Sequence, residues 1–224
     1  MSDWDGIARV RLEARETFRL IAAAYPAIDL YADLGVPPTD WDVLHEIEGL
    51  TNARLRDERG EAPRVPPAER VTGAGASWIM APFSRPNRSR FSDGTYGIYY
   101  CAERERTAIR EVSHHRQRFL RATREPPQTL VQRTVAAALH GTGLDVFDRP
   151  WPWLRAEDYG ICQRFGAHAR GKVDAIRYES VRDPGAVAFA VLAPRALAAA
   201  RHLHYVELNW DGARITHHSI VGEP

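Results

Sequence analysis

The sequence predicts an α+β domain, a mixed β core of short strands with surrounding helices, preceded by an N-terminal helical extension. Three observations carry that prediction. Apolar residues recur every three to four positions through much of the first seventy residues. From Val71 onward, short β-branched and aromatic runs alternate with helical patterns in mixed order, without the regular alternation of a doubly wound sheet. A hydrophobic content of 44% supports a real core, while 26% charged residues supply an ordinary surface. The expected division is residues 1–70 as the helical extension and 71–224 as the main domain.

Taken in order, Ile7, Val10, Phe18, Ile21 and Ala22 suggest a first helix behind Asp3 or Asp5 as N-cap, stopped at Tyr25-Pro26. Thr39 caps a second, with Trp41, Leu44, Ile47, Leu50 and Leu55 on one face and Gly60 closing it. Residues 61–67, with three prolines, form a connector. Trp78 to Phe83 reads as a buried strand, 84–89 as a proline-broken loop, Ser92-Asp-Gly-Thr as a turn, and Tyr96 to Ala102 as a strand. Glu103 to Leu120 is a helix with Ala108, Val112, His115 and Phe119 on one side. Gln128 to Leu139 favours a strand, and 141–154, holding Trp151 and Trp153, is a loop long enough to be a lid or a partner-binding rim. Those two tryptophans fit a satellite core equally well. Asp158 to Arg170 is a helix ended by Gly171, followed by strands at 175–178 and 187–192 and a short Ala-rich helix after Pro194. A final hairpin turns at Asp211-Gly212 between 202–210 and 214–220.

Composition narrows the function classes. Lys+Arg 30 against Asp+Glu 29 gives a net charge of +1, so no nucleic-acid footprint is visible. Arginine dominates the basic residues, with Lys172 the only lysine, which leaves many planar cations able to fork onto phosphates. Cys101 and Cys162 stand alone, which argues against a disulfide framework or a Cys-based zinc site. No run approaches ~18 apolar residues and no signal-like segment follows Met1, so a soluble, cytosolic protein is expected. Among nine histidines, the adjacent His114 and His115 make a poor chelate on a helix. His202, His204 and His217 on the hairpin make a metal site conceivable, but no H-E-x-x-H framework supports one, and no metal is expected. Gly73-Ala-Gly75 lacks the third glycine of a dinucleotide fingerprint.

The chemistry-bearing stretch runs from Arg90 through Phe-Ser-Asp-Gly-Thr-Tyr-Gly-Ile-Tyr-Tyr100-Cys-Ala to Glu111. Arginine suits a phosphate, an aromatic ring a planar heterocycle, and a carboxylate a ribose or a developing positive charge. Those needs together describe a dinucleotide, nicotinamide adenine dinucleotide in particular. Tyr96, Ile98 and Tyr100 share one strand face, and Glu111 can look back across the strand end. His115, one turn beyond, can support Glu111. The same spacing also fits an Arg90–Glu111 surface ion pair with Tyr100 in the core. Ser180 and Arg182, in Tyr178-Glu-Ser-Val-Arg-Asp-Pro-Gly, end a strand before a turn; the serine hydroxyl can bond a carboxamide or ribose, or cap its own turn.

These motifs, Arg90-Phe-Ser-Asp-Gly, Tyr-Gly-Ile-Tyr-Tyr-Cys-Ala, Thr107-Ala-Ile-Arg-Glu111 and Tyr178-Glu-Ser180-Val-Arg182, resemble those of the RES domain, from about Val71 to Ile220. Residues 44–60 also resemble the helical extension of one RES subgroup. The resemblance implies an ADP-ribosyltransferase-like fold and a toxin of a bacterial toxin–antitoxin pair that consumes NAD+. Such a toxin degrades NAD+ or transfers ADP-ribose to a host protein, and its partner is an Xre-like antitoxin. It implies roles for Arg90, Tyr100 and Glu111 in catalysis and for Arg90, Tyr100 and Ser180 in binding NAD+. Family members carry a further arginine on the first strand. Here Trp78 to Phe83 has none, so Arg85 or Arg88 is expected to substitute. The rival reading is a non-catalytic nucleotide-sensing or partner-binding module.

Overall fold

The structure, a computed structural model, describes residues 4–23, 65–149 and 151–222. The helix expected from Thr39 to Gly60 and most of the connector after it lie outside these residues. The fold is α+β. Seven strands are present among the described residues: β1 (Arg9–Ala22), β2 (Tyr99–Ala102), β3 (Gln128–Asp145), β4 (Ala175–Glu179), β5 (Val187–Val191), β6 (Leu197–Trp210) and β7 (Ile215–Val221). Four helices accompany them: α1 (Ala76–Ser84), α2 (Glu105–Thr123), α3 (Pro152–Arg155) and α4 (Gly160–Ala169). None is long and apolar enough to cross a membrane.

The sheet curls into a ring. β1 pairs with β2, β2 with β5, β5 with β4, β4 with β3, and β3 returns to β1. β3 makes this possible because it is long enough to divide one edge between two neighbours. Residues 128–139 pair with β6 and 143–145 with β4, while β1 takes the opposite edge. The β6–β7 hairpin extends the sheet beyond the ring. Only β3 and β4 run parallel, joined by α3 and α4 as a crossover. The weakest join is β1 to β2, which register at one pair, Phe18 with Ala102.

Two elements differ from the sequence reading. Residues 9–22 form a strand of the main sheet, not a helix. Charged Arg9, Arg11, Glu13 and Arg15 alternate with Val10 and Leu12, a period of two that competes with the period of 3.6 read from Ile7, Val10 and Phe18. A register shift between Leu12 and Arg15 then breaks the alternation, so that Leu12, Thr17 and Leu20 are all buried. Conversely, Trp78 to Phe83 is helical, within α1. Its buried positions, Ala76, Ile79, Met80 and Phe83, fall at helical spacing, and continuous apolar runs of this length do not reveal their period. The strands are also longer than expected: β1, β3 and β6 are long, β3 continues through Asp145, and the short turn at Pro194–Ala196 leads directly into β6 in place of an Ala-rich helix.

Three apolar clusters anchor the helices. Ile79, Met80 and Phe83 of α1 meet Tyr99, Phe189 and Leu197 on one face of the sheet. Cys162 and Phe165 of α4 meet Phe91, Val146 and Ile176 on the other. Ala108 and Ile109 of α2 pack on Leu20, Ala102 and Val206. That last contact seats α2 over the β1–β2 seam.

Candidate active site

A cavity of about 380 Å³ opens at the β1–β2 seam. Phe18, Arg19 and Leu20 line it from β1, Tyr100, Cys101 and Ala102 from β2, and Glu111 and His115 from α2. Arg90 lines it from the loop before β2, so the structure brings Arg90, Tyr100 and Glu111 into one cleft. Arg90 and Glu111 make no ion pair with each other among the described residues. Four arginines, Arg19, Arg88, Arg90 and Arg118, face the cavity against one carboxylate, Glu111. The site is therefore strongly cationic in a protein of net charge +1.

Glu111 is held from behind. Ser180 Oγ donates a hydrogen bond to Glu111 Oε1 at 2.5 Å. The same oxygen accepts the backbone N–H groups of Arg182 at 3.2 Å and Asp183 at 3.0 Å. With both lone pairs engaged, the hydroxyl proton has one direction left, toward the carboxylate. Ser180 is fully buried and does not line the cavity, so it does not reach a ligand as the sequence suggested. Its partner lies 69 residues away in the chain, a contact that no local motif displays. Glu111 Oε2 lies 4.0 Å from His115 Nε2. Desolvation by the cavity walls lowers the His115 pKa, and although Glu111 opposes this, Arg182, Arg90 and Arg118 reinforce it, which favours the neutral imidazole.

Arg90 is positioned by three elements. Its guanidinium donates to the Leu154 carbonyl and lies 4.7 Å over the ring of Tyr159. The loop carrying it is fixed by Tyr100, whose hydroxyl accepts the Phe91 N–H at 3.1 Å and donates to Ser89 Oγ at 2.9 Å. Burial pushes the Tyr100 pKa up to about 12, so the phenol stays protonated. Gln163 of α4 donates hydrogen bonds from its amide Nε2 to the carbonyls of Ser89 at 3.0 Å and Ser92 at 3.2 Å. Gly166, on the same helix, lets Phe91 approach so closely that a methyl group there would run into the Phe91 carbonyl.

Of the two arginines expected to replace a first-strand arginine, Arg88 lines the cavity and Arg85 does not; Arg85 is exposed at the end of α1. A third arginine, Arg19, stands on β1, the first strand of the sheet, and lines the same cavity. Its guanidinium lies 4.5 Å over the Tyr99 ring, and Nη1 donates to the Tyr100 carbonyl at 3.4 Å. Its Nε is buried without a hydrogen-bond partner, and burial lowers its pKa. Tyr178 completes the aromatic wall; burial, then Glu111, raises its pKa well above that of a free phenol.

The remaining candidates are placed elsewhere. Trp151 and Trp153 pack at 5.5 Å from one another, with Trp153 5.2 Å from Phe165, against the main apolar cluster. Their loop reaches the site through the Leu154 carbonyl. His204 bonds Glu105 Oε1 at 2.6 Å, and the His202 ring lies tilted against Tyr205 with centroids 4.6 Å apart. Among the described residues no three His, Cys, Asp or Glu side chains gather to hold an ion.

Comparison with known proteins agrees with the motifs. An uncharacterized protein of Sinorhizobium fredii, y4oC, is 29% identical over 205 residues, covering 90% of this chain and 85% of its own. The RES domain matches residues 67–211, which include Arg90, Tyr100, Glu111 and Ser180. That match spans well over half of the chain, and the chain belongs to the RES-domain family.

Proposed function

We propose that this RES-domain protein is an NAD+-consuming toxin of a toxin–antitoxin pair, which cleaves the bond between nicotinamide and ribose. The observation that carries the reading is the convergence of Arg90, Tyr100 and Glu111 on one cavity, with four arginines opposite a single oriented carboxylate. A volume of about 380 Å³ falls within the range of small-molecule sites. Arg90, with Arg88 and Arg19, supplies forked donors for the pyrophosphate. Tyr100 and Tyr178 supply aromatic surface and protonated phenols.

The bond breaks with its electron pair leaving on nicotinamide, and positive charge develops on the ribose. Glu111 Oε1 is engaged by Ser180, so Oε2 is the oxygen free to accept a ribose hydroxyl and stabilise that charge. Fixing the carboxylate before the reaction avoids reorganisation when charge appears. The ADP-ribose passes to a host protein, to water or to phosphate. The toxin would require a neutralising partner, an Xre-like antitoxin, and a cytosolic location.

The test is incubation of the purified chain with NAD+ and cell extract, followed by mass spectrometry. Release of nicotinamide, abolished in Glu111→Gln, supports cleavage. One added ADP-ribose mass on a protein identifies transfer, whereas free or phosphorylated ADP-ribose identifies the small acceptor. Full nicotinamide release or full toxicity in a folded Glu111→Gln variant would refute the assignment.

A further inference from the structure

The loop between β4 and β5 grips α2 at two points, and only one of them is Ser180. Three residues on, the Asp183 carboxylate accepts Thr107 Oγ1 at 2.7 Å on Oδ2 and Arg110 Nη1 on Oδ1. Arg106 Nε lies 3.8 Å from Oδ2. Asp183 is 3% exposed and Thr107 is fully buried. Thr107, Arg110 and Glu111 are i, i+3 and i+4 on one helix face, so the loop holds the turn that carries Glu111 from both ends. The two grips are joined through the backbone, because the Asp183 N–H is one of the two donors that saturate Ser180 Oγ.

We infer that Asp183 is a positioning residue for Glu111: its carboxylate latches the 180–183 turn onto α2, and its N–H directs the Ser180 proton onto the Glu111 carboxylate. The inference rests on the proposed cleavage only for its kinetic consequence; the geometric claim concerns the carboxylate itself. Several arrangements can anchor a helix to a loop. This one places a buried acid where its side chain fixes the helix and its amide fixes the serine, so a change at 183 is transmitted to Glu111 without either residue touching substrate.

The variant of choice is Asp183→Asn, which keeps the shape but presents an amide donor where Thr107 or Arg110 requires an acceptor. Thr107→Val attacks the same latch from the helix side without changing charge, and serves if Asp183→Asn does not fold. Two readouts are taken. In the first, carbon-13 NMR of protein labelled at the glutamate carboxyl follows the Glu111 resonance, identified by its loss in Glu111→Gln. The expected result is that Asp183→Asn and Thr107→Val move this resonance in the direction Ser180→Ala moves it, and that neither moves it further in the Ser180→Ala background. In the second, nicotinamide release by Asp183→Asn shows kcat about 10- to 100-fold down with KM for NAD+ within about twofold, the pattern of a group acting in the transition state. The kcat losses of Asp183→Asn and Ser180→Ala are less than multiplicative. A Glu111 resonance unmoved in the folded latch variants, or fully multiplicative losses, would overturn the inference. Absence of nicotinamide release by the wild-type chain would overturn the proposed function instead, and the NMR result then judges the latch alone.

Discussion

Replacing Arg90 by lysine preserves the charge and removes the geometry. Arg90 donates from Nη1 to the Leu154 carbonyl, its guanidinium lies over the Tyr159 ring, and it lines the cavity, which leaves other donors of its fork for a ligand. An ammonium can satisfy the carbonyl or reach a phosphate, but it cannot present two parallel donors while anchored by a third. One charge-assisted hydrogen bond contributes about 1.5–3 kcal/mol. The expected loss is therefore about 1.5–3 kcal/mol, or roughly 10- to 150-fold in affinity for NAD+. Isothermal titration calorimetry in the Glu111→Gln background measures this without turnover, with Arg90→Lys as the single difference. Thermal stability should fall little. An affinity within about threefold of the parent would refute the reasoning and transfer the phosphate contact to Arg88 and Arg19.

Tyr100→Phe removes the acceptor of the N–H of fully buried Phe91, so a loss of about 1–3 kcal/mol in urea unfolding is expected, with weaker NAD+ binding as the Arg90 loop loosens. Gly166→Ala drives a methyl group into the Phe91 carbonyl and should cost about 1–3 kcal/mol, read as a lowered midpoint in the same assay. For Asp183, burial alone would raise the carboxyl pKa, but the Thr107 hydrogen bond and the Arg110 and Arg106 charges outweigh it and the net shift is downward. Its stabilising contribution is thus complete above the unfolded-chain value near 4 and disappears as pH falls through the lower native value. The urea midpoint should drop over that acid range, and Asp183→Asn should flatten the part of the drop that Asp183 contributes.

The site was more legible than the frame around it. Arg90, Tyr100 and Glu111 sit within a short span, and strand and helix periodicity allow them to share a cleft; the same spacing fits a surface ion pair, and it is the resemblance to the RES domain that favours the cleft. Ser180 caps its own turn, as its place before Pro-Gly suggests, accepting the Arg182 and Asp183 N–H groups; its second task is not legible, because nothing nearby announces a carboxylate 69 residues distant. Arg19 was missed for a different reason. A strand with a register shift near its centre, which buries Leu12 on one side of the shift and Thr17 and Leu20 on the other, loses the alternation by which strands are recognised. The apolar positions of 9–22 also fit a helical period and the run 78–83 carries no period of its own, so the sequence points to a first strand at 78–83, where a helix stands.

The ring of strands is completed by a segment that arrives from far away in sequence. Thr17 bonds the carbonyl of Ala137 across 120 residues, and the cavity lies beside the single register pair that joins β1 to β2. Contacts of such separation tend to slow folding, because a long loop must close before they form. Site assembly is therefore tied to the arrival of the earliest-made strand on the completed remainder of the chain. A fragment confined to residues 67–211 would retain Arg90, Tyr100, Glu111 and Ser180, yet lack Arg19 and one whole wall of the cleft. It would also leave an open edge on β3 across from β6, a surface prone to pair with other chains. Newly made chains thus carry no finished cleft until the last ring strand has been synthesised and the first has been captured.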